Sequence, residues 1–237
     1  MATAKTHPDN DPFSGESSPR EACWYYECTS GTCRLRFPAP FKENLTCPLC
    51  HSPVLQKGRW ESSNSVEAYK NDGSRLSVIL DNLRSAYNVG SILRSSDGAG
   101  VQHAYLCGIT PTPLHPRLSK TALSAEIHTS WSQHLNCVEL VRDLRNRGEL
   151  VVGLETSPSA INLLDSIEPW EGSLNLIVGN EVYGIDPAVM ELCDRLYYLP
   201  MVGIKKSLNV SVSFGIAAYF LNQHHFQKLP VQSDTSF

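Results

Sequence analysis

Apolar residues in this chain come in short bursts divided by polar stretches. From Arg75 onward the bursts are SVIL (77–80), HAYLCGI (103–109), LVVGLE (150–155), LNLIVG (174–179) and RLYYLP (195–200). Their length and their content of Val, Ile, Leu and Tyr predict strands. Between them lie segments of helical period that stop at Gly100 and Gly148, where the left-handed C-cap conformation favours a residue without a side chain. Another helix is predicted from Asp186 and Pro187, a capping acid followed by a first-turn proline, with Val189, Leu192, Cys193 and Leu196 along one face. In the last segment Val210, Phe214, Ala217, Ala218 and Leu221 recur at helical spacing, a stripe suited to a core or a dimer interface. The alternation predicts an α/β fold, a mainly parallel sheet flanked by helices.

The N-terminal third reads differently. Residues 1–22 are rich in Pro, Ser, Asp and Thr and are expected to form a tail. Residues 23–59 form a Cys-rich segment, 60–74 a polar linker, 75–228 the α/β domain and 229–237 a C-terminal tail. The 237 residues are 41% hydrophobic and 19% charged, enough for one domain plus an appendage. A formal charge of −4 excludes a globally basic, histone-like chain but permits a local basic patch. No apolar run approaches the roughly 18 residues of a membrane span, and the first 22 residues lack a signal-peptide core, so a cytoplasmic protein without a membrane partner is expected.

Five of the eight cysteines fall within the first 50 residues, a cluster that reads as metal binding before disulfides in a reducing compartment. Cys28 and Cys33 form one close pair, and Cys47 and Cys50 form a Cys-Pro-Leu-Cys turn. Such pairs across a short hairpin can present four thiolates to a structural Zn²⁺, as in a zinc ribbon, with Cys23 and His51 as spare ligands. Outside the ligands, residues 23–59 hold five Lys or Arg against two Glu, interleaved with Trp24, Tyr25, Tyr26 and Phe37. That mixture suits phosphate contact and base stacking, although the aromatics also serve the ribbon's own small core.

A dinucleotide-binding glycine fingerprint and a Walker-type loop are both absent after the candidate strands, which argues against dehydrogenase and NTPase readings. Three other polar clusters stand at strand ends, where open α/β sheets bind ligands: Asn88 to Arg94, Gly179 to Gly184, and Pro200 to Asn209. Taken singly, each polar residue in them also has a structural reading as a turn or cap.

Together, LDNLRSAYNVGSILRSSDGAG, LIVGNEVYGID and LPMVGIKKSLNVSVSFGIAAYFL closely resemble, in order, the three motifs of the SpoU (TrmH-type) family of SPOUT RNA ribose methyltransferases. KTALSAEIH and GLETSPSAINLLD fit as well, so the resemblance covers about residues 75–225. It implies a C-terminal trefoil knot, S-adenosylmethionine as cofactor, methylation of a ribose 2′-hydroxyl in tRNA or rRNA, and a homodimer. By motif position it implies a cofactor pocket of Gly179, Leu199 and Leu208 with Asn180 and Met201, and a catalytic set of Arg94, Asn88, Glu181, Ser207 and Asn209. Arg94 matches the family's catalytic arginine; a guanidinium is a poor base, so phosphate binding and alkoxide stabilisation are its expected work. The rival reading is a zinc-ribbon RNA-binding or assembly protein built on a knotted domain that no longer catalyses.

Overall fold

LSVILD and LNLIV are buried at nearly every position, as strands covered on both faces must be, and they pair at the middle of the larger sheet. The computed structural model describes residues 23–60, 75–115, 118, 129–165 and 172–226. The expected tails at 1–22 and 229–237, residues 61–74 of the expected linker and the KTALSAEIH stretch lie outside them. The chain divides into two compact units between Tyr69 and Lys70.

The smaller unit is an antiparallel sheet of β1 (Cys23–Cys28), β2 (Arg36–Pro40) and β3 (Val54–Trp60), in the order β2-β1-β3. Its core is thin. Among its described side chains only Tyr26, Cys28 and Cys47 are buried. In β3 the register shifts at one point: Tyr26 faces Gln56 but Tyr25 faces Gly58, which leaves Lys57 as a bulged residue.

The larger unit contains β4 (Leu76–Asp81), β5 (His103–Cys107), β6 (Ser130–His134), β7 (Leu150–Leu154), β8 (Ile161–Asn162), β9 (Leu174–Val178) and β10 (Arg195–Tyr198). They lie in the order β6-β5-β4-β9-β7-β10-β8, and every pairing is parallel. On one face Leu76, Val78, Leu80 and Leu176 pack with α1 (Ala86–Gly98) and α4 (Val210–Phe226). On the other, Ile79, Val151 and Ile177 pack with α2 (Cys137–Asn146) and α3 (Pro187–Met190). No helix among the described residues is long and apolar enough to cross a membrane.

All five expected strands are present, and Gly100 (φ 68°) and Gly148 (φ 78°) follow α1 and α2 in the left-handed conformation. Phe214, Ala217, Ala218 and Leu221 are buried in the core, while Val212, Ile216 and Tyr219 form a second, exposed apolar row on α4. The helix begun by Asp186 and Pro187 is a single turn, so Leu196 belongs to β10 and not to a helical face. Asp194 is the reason. Its N–H donates to the Val151 carbonyl at 2.8 Å and its carboxylate accepts from the Val151 N–H at 2.9 Å, which draws the chain into the sheet beside β7.

Strand β6, SWSQH, has no apolar alternation and stands at the edge of the sheet, stitched to β5 by side chains. Three contacts of 2.8 Å link His103 Nδ1 with Ser130 Oγ, His103 Nε2 with Ser132 Oγ, and Ser132 Oγ with His134 Nε2. The Ser130 hydroxyl donates to the Gln102 carbonyl, so its oxygen accepts from His103 Nδ1–H. Nε2 of the neutral ring then accepts from the Ser132 hydroxyl, whose oxygen accepts from His134 Nε2–H. The four bonds run in one direction. Burial, and then the charge of His134, hold His103 below its ordinary value of 6.5; burial and Arg147, opposed by Asp143, lower His134.

Both imidazoles take protons less readily in the folded protein than in the unfolded chain. The stability they contribute is complete above about pH 6.5 and is lost as pH falls below that value. Hydrogen exchange of the β6 amides, corrected for intrinsic rates, should show weaker protection at about pH 5 than at about pH 7.5. The difference should shrink in a His103→Gln, His134→Gln double variant, and equal protection at both pH values in the parent would exclude the effect.

Candidate functional site

The three polar motifs lie at the carboxyl ends of strands in the larger sheet. After β4, Asn82 takes a left-handed conformation (φ 57°), and Ser85 caps α1 by accepting from the Asn88 N–H at 3.3 Å. The N–H groups at a helix start have no intrahelical acceptor. Glu181, from the second motif, supplies one. Its Oε2 accepts from the Arg84 N–H at 2.9 Å, and its Oε1 from the Ser85 N–H and the Asn88 side-chain amide, each at 3.0 Å. Burial by itself raises this carboxyl, but the hydrogen bonds from Arg84, Asn88, its own backbone and Ser85 outweigh it and hold the group below the usual carboxylate range. Glu181 is thus an ionised anchor at the positive end of a helix.

The second motif is a tight loop. Asn180 and Gly184 exchange two backbone hydrogen bonds of 2.9 Å, and Asn180 Oδ1 accepts from the Val182 and Tyr183 N–H groups. The Asn180 side-chain amide donates to the Asn82 carbonyl at 2.7 Å. A Cβ on Gly179 would stand 2.2 Å from both the carbonyl carbon of Gly184 and the nitrogen of Ile185, so only glycine lets the loop close. Glu155, just beyond β7, braces the same loop by accepting from the Ile185 N–H at 3.1 Å.

In the third motif Asn209 caps α4, its Oδ1 accepting from the Ser211 N–H at 2.9 Å. Its side-chain amide donates to Asn88 Oδ1 at 3.1 Å. Asn88 therefore donates to Glu181 and accepts from Asn209, and this single side chain joins all three motifs.

A cavity of about 400 Å³ lies among the loops. Asn88, Gly179, Asn180, Glu181, Leu199, Met201, Ser207, Leu208 and Asn209 line it. Arg94 does not. It stands on α1 about 9 Å farther along the axis than Asn88 at 1.5 Å per residue, exposed and without an ion pair among the described residues, Asp97 included. The cavity also takes in Glu155, Thr156, Tyr198 and Lys206, which sequence reasoning did not single out. Their only signal was position: Glu155 and Thr156 at the carboxyl end of a predicted strand, Lys206 beside Ser207.

In the smaller unit the sulfurs of Cys28, Cys33, Cys47 and Cys50 all lie within 4.8 Å of one another, with Cys28 and Cys50 at 3.4 Å and Cys33 and Cys47 at 3.8 Å. Tetrahedral thiolates around a Zn²⁺ at about 2.3 Å would be about 3.8 Å apart. Each cysteine pair ends in a left-handed residue, Arg34 (φ 48°) after Cys33 and His51 (φ 60°) after Cys50, so two similar turns face each other. His51 is not among the converging ligands, and Cys23 begins β1 while Cys28 ends it, about 17 Å apart along a strand. Burial pushes the Cys28 thiol up to about 12, whereas hydrogen bonds from Ser52 draw Cys50 down to about 6.

Comparison with known proteins gives the site a family. The tRNA (guanosine(18)-2′-O)-methyltransferase of Aquifex aeolicus (strain VF5) is 29% identical over 183 residues, 74% of this chain and 80% of that protein. A 23S rRNA (guanosine-2′-O-)-methyltransferase, RlmB, of Burkholderia sp. is 30% identical over 158 residues, 67% of this chain and 63% of that protein. Among solved structures, the AdoMet-bound rRNA methyltransferase from Sinorhizobium meliloti superposes with a TM-score of 0.60 at 24% identity, over 63% of this chain and 56% of that chain. This chain thus spans most of one relative and little more than half of others. The SpoU rRNA Methylase family pattern runs over residues 75–219, from β4 into α4, and so takes in all three linked loops and the cavity between them. A match over more than half of the chain, through every element that builds the cavity, makes this protein a member of the SpoU rRNA methylase family.

Proposed function

We propose that the protein is an S-adenosylmethionine-dependent methyltransferase acting on a ribose 2′-hydroxyl of tRNA or rRNA. The observation that carries this reading is the Glu181–Asn88–Asn209 linkage, which gathers three loops distant in sequence around one cavity. The cavity's size lies in the range of small-molecule sites. Leu154, Val178, Leu199, Met201 and Leu208 offer apolar wall for a flat heterocycle, and Glu155 and Lys206 stand among them as charged groups for a polar tail. The cofactor, when bound, supplies an electrophilic methyl group on a sulfonium. The chain's own part is positional: Gly179 lets backbone close on the cavity, and the asparagine linkage keeps the loops from parting.

Arg94, outside the cavity, belongs to the RNA side. Its exposed guanidinium, without an ion pair among the described residues, can hold a phosphate and stabilise charge developing on the ribose oxygen. The trefoil knot implied by the motifs belongs to the same reading, as does a homodimer formed through the exposed row Val212, Ile216 and Tyr219 on α4, which a monomer would leave in water. In the smaller unit, Cys28, Cys33, Cys47 and Cys50 hold a structural Zn²⁺ in place of the apolar core that this unit lacks.

Calorimetry should detect adenosylmethionine binding, and mass spectrometry of nucleosides should detect 2′-O-methylation of tRNA or rRNA by the purified protein. Binding of the cofactor without any transfer would favour the non-catalytic alternative. Arg94→Ala should leave folding and cofactor affinity unchanged while lowering single-turnover methylation about 100-fold or more, with poor rescue by Arg94→Lys. A near-parental rate in the Ala variant would remove Arg94 from the reaction. Elemental analysis should find one zinc per chain, and metal-free protein whose four cysteines alkylate freely would refute the zinc site. Light scattering should give twice the 26.2 kDa chain mass, with Ile216→Glu shifting the protein toward monomer.

A further inference from the structure

At the end of the small sheet away from Cys28, three side chains of different elements meet. The Arg59 guanidinium stands over the Trp24 ring, 5.6 Å from its centroid, and the Phe41 ring meets Trp24 edge-on at 6.5 Å. The bulge at Lys57 creates the first contact. Strand alternation from Gln56, which faces Tyr26, would send Arg59 to the opposite side of the sheet; the extra residue resets the register so that Arg59 faces Trp24. Phe41 takes no part in the ribbon's core. It is 62% exposed just past β2, although burying it would add apolar area to a unit short of it. Tyr26 and Phe37, stacked at 6.0 Å, serve that core instead.

The charge of the small unit points to the partner of this aromatic group. Residues 23–59 hold Arg34, Arg36, Lys42, Lys57 and Arg59 against Glu27 and Glu43, within a chain whose overall charge is −4. All five cations are exposed, Lys42 directly follows Phe41, and Lys57 is the bulged residue itself. Arg34 and Arg36 lie toward the Cys28 end, but an exposed ring and a guanidinium, with Lys42 next to Phe41 and Lys57 two residues before Arg59, match a polyanion that also presents flat apolar faces. Unpaired nucleotides have both, whereas the bases of a duplex hide their faces in the stack.

We infer that Trp24, Phe41 and Arg59 form a stacking platform that holds unpaired nucleotides of the RNA substrate. The inference rests on the reading of the larger unit as an RNA methyltransferase, and it assigns the ribbon a preference for single-stranded over paired RNA. Phe41 and Arg59 contribute faces for bases, and Lys42 and Lys57 contribute phosphate contacts.

The test uses the full-length, zinc-loaded protein with two fluorescent probes, a ribo-oligouridylate and a blunt RNA duplex of equal length. The single strand should bind more tightly. Phe41→Ala, which opens no core, should weaken single-strand binding by about 10-fold or more, leave duplex binding unchanged, and leave the salt dependence unaltered because stacking releases no counterions. Phe41→Trp should restore affinity. Lys42→Ala should instead flatten the slope of log affinity against log salt by about 0.7. Single-strand binding that ignores Phe41→Ala, or equal binding of the duplex, would overturn the platform and leave this face to a protein partner. Cofactor binding is measured separately on the same variants: Phe41-dependent RNA binding without adenosylmethionine binding would sink the methyltransferase reading and keep the platform, and the reverse result would do the opposite.

Discussion

The Glu181 carboxylate sits where α1 begins because Arg84 and Ser85 present N–H groups there that no helical carbonyl can reach, and an anion is the natural acceptor at that end of a helix. Everything around the cavity follows from that contact. It fixes the second motif onto the first, and the Asn88 amide extends the connection to Asn209 and so to the start of α4. An amide suits the middle position because it donates from one atom and accepts at the other. A carboxylate at position 88 would face Glu181 as a like charge, and an alkyl group would leave both neighbours unpaired. The donors around the carboxylate favour its ionised form, which suits it to anchor the second motif on the first.

The two units solve the problem of stability in different ways. The larger sheet buries its central strands under helix pairs on both faces; the Asn222 side-chain amide donates to the Ala99 carbonyl at the end of α1, whereas Ser96 Oγ, Thr129 Oγ1 and Asn175 Oδ1 are buried without a hydrogen-bond partner among the described residues. The smaller sheet has few buried side chains and brings four sulfurs together instead. Those thiols differ in how readily they release a proton, Cys28 reluctantly because it is buried and Cys50 easily because Ser52 hydrogen-bonds it.

Elements whose burial is symmetric were legible in the chain. The five apolar runs became strands, the glycine stops became left-handed caps, and the motifs at strand ends became loops around one cavity. Strands at the rim were not legible. β6 is polar because its pairing depends on serine and histidine side chains, and β8 has only two residues against β10. The length of α3 escaped notice because an acidic residue, Asp194, bonds to Val151 on a strand 43 residues earlier, a partner no local pattern reveals.

Residue types and their order were therefore enough to say where helices must stop, as at Gly100 and Gly148, where one must start, as at Asp186, and which cysteines are spaced to converge. These are matters of backbone sterics, capping and short loops, decided within a few residues. The roles of Glu181, Asn88 and Asn209 were decided only in three dimensions. Each has donors and acceptors that a turn, a cap, a substrate or another loop could satisfy equally well, and the choice depends on which groups the packed sheet brings within about 3 Å. The same holds for Arg94, whose helix faces the core with Val89, Ile92 and Leu93 and so leaves the guanidinium outside the cavity that its motif helps to build.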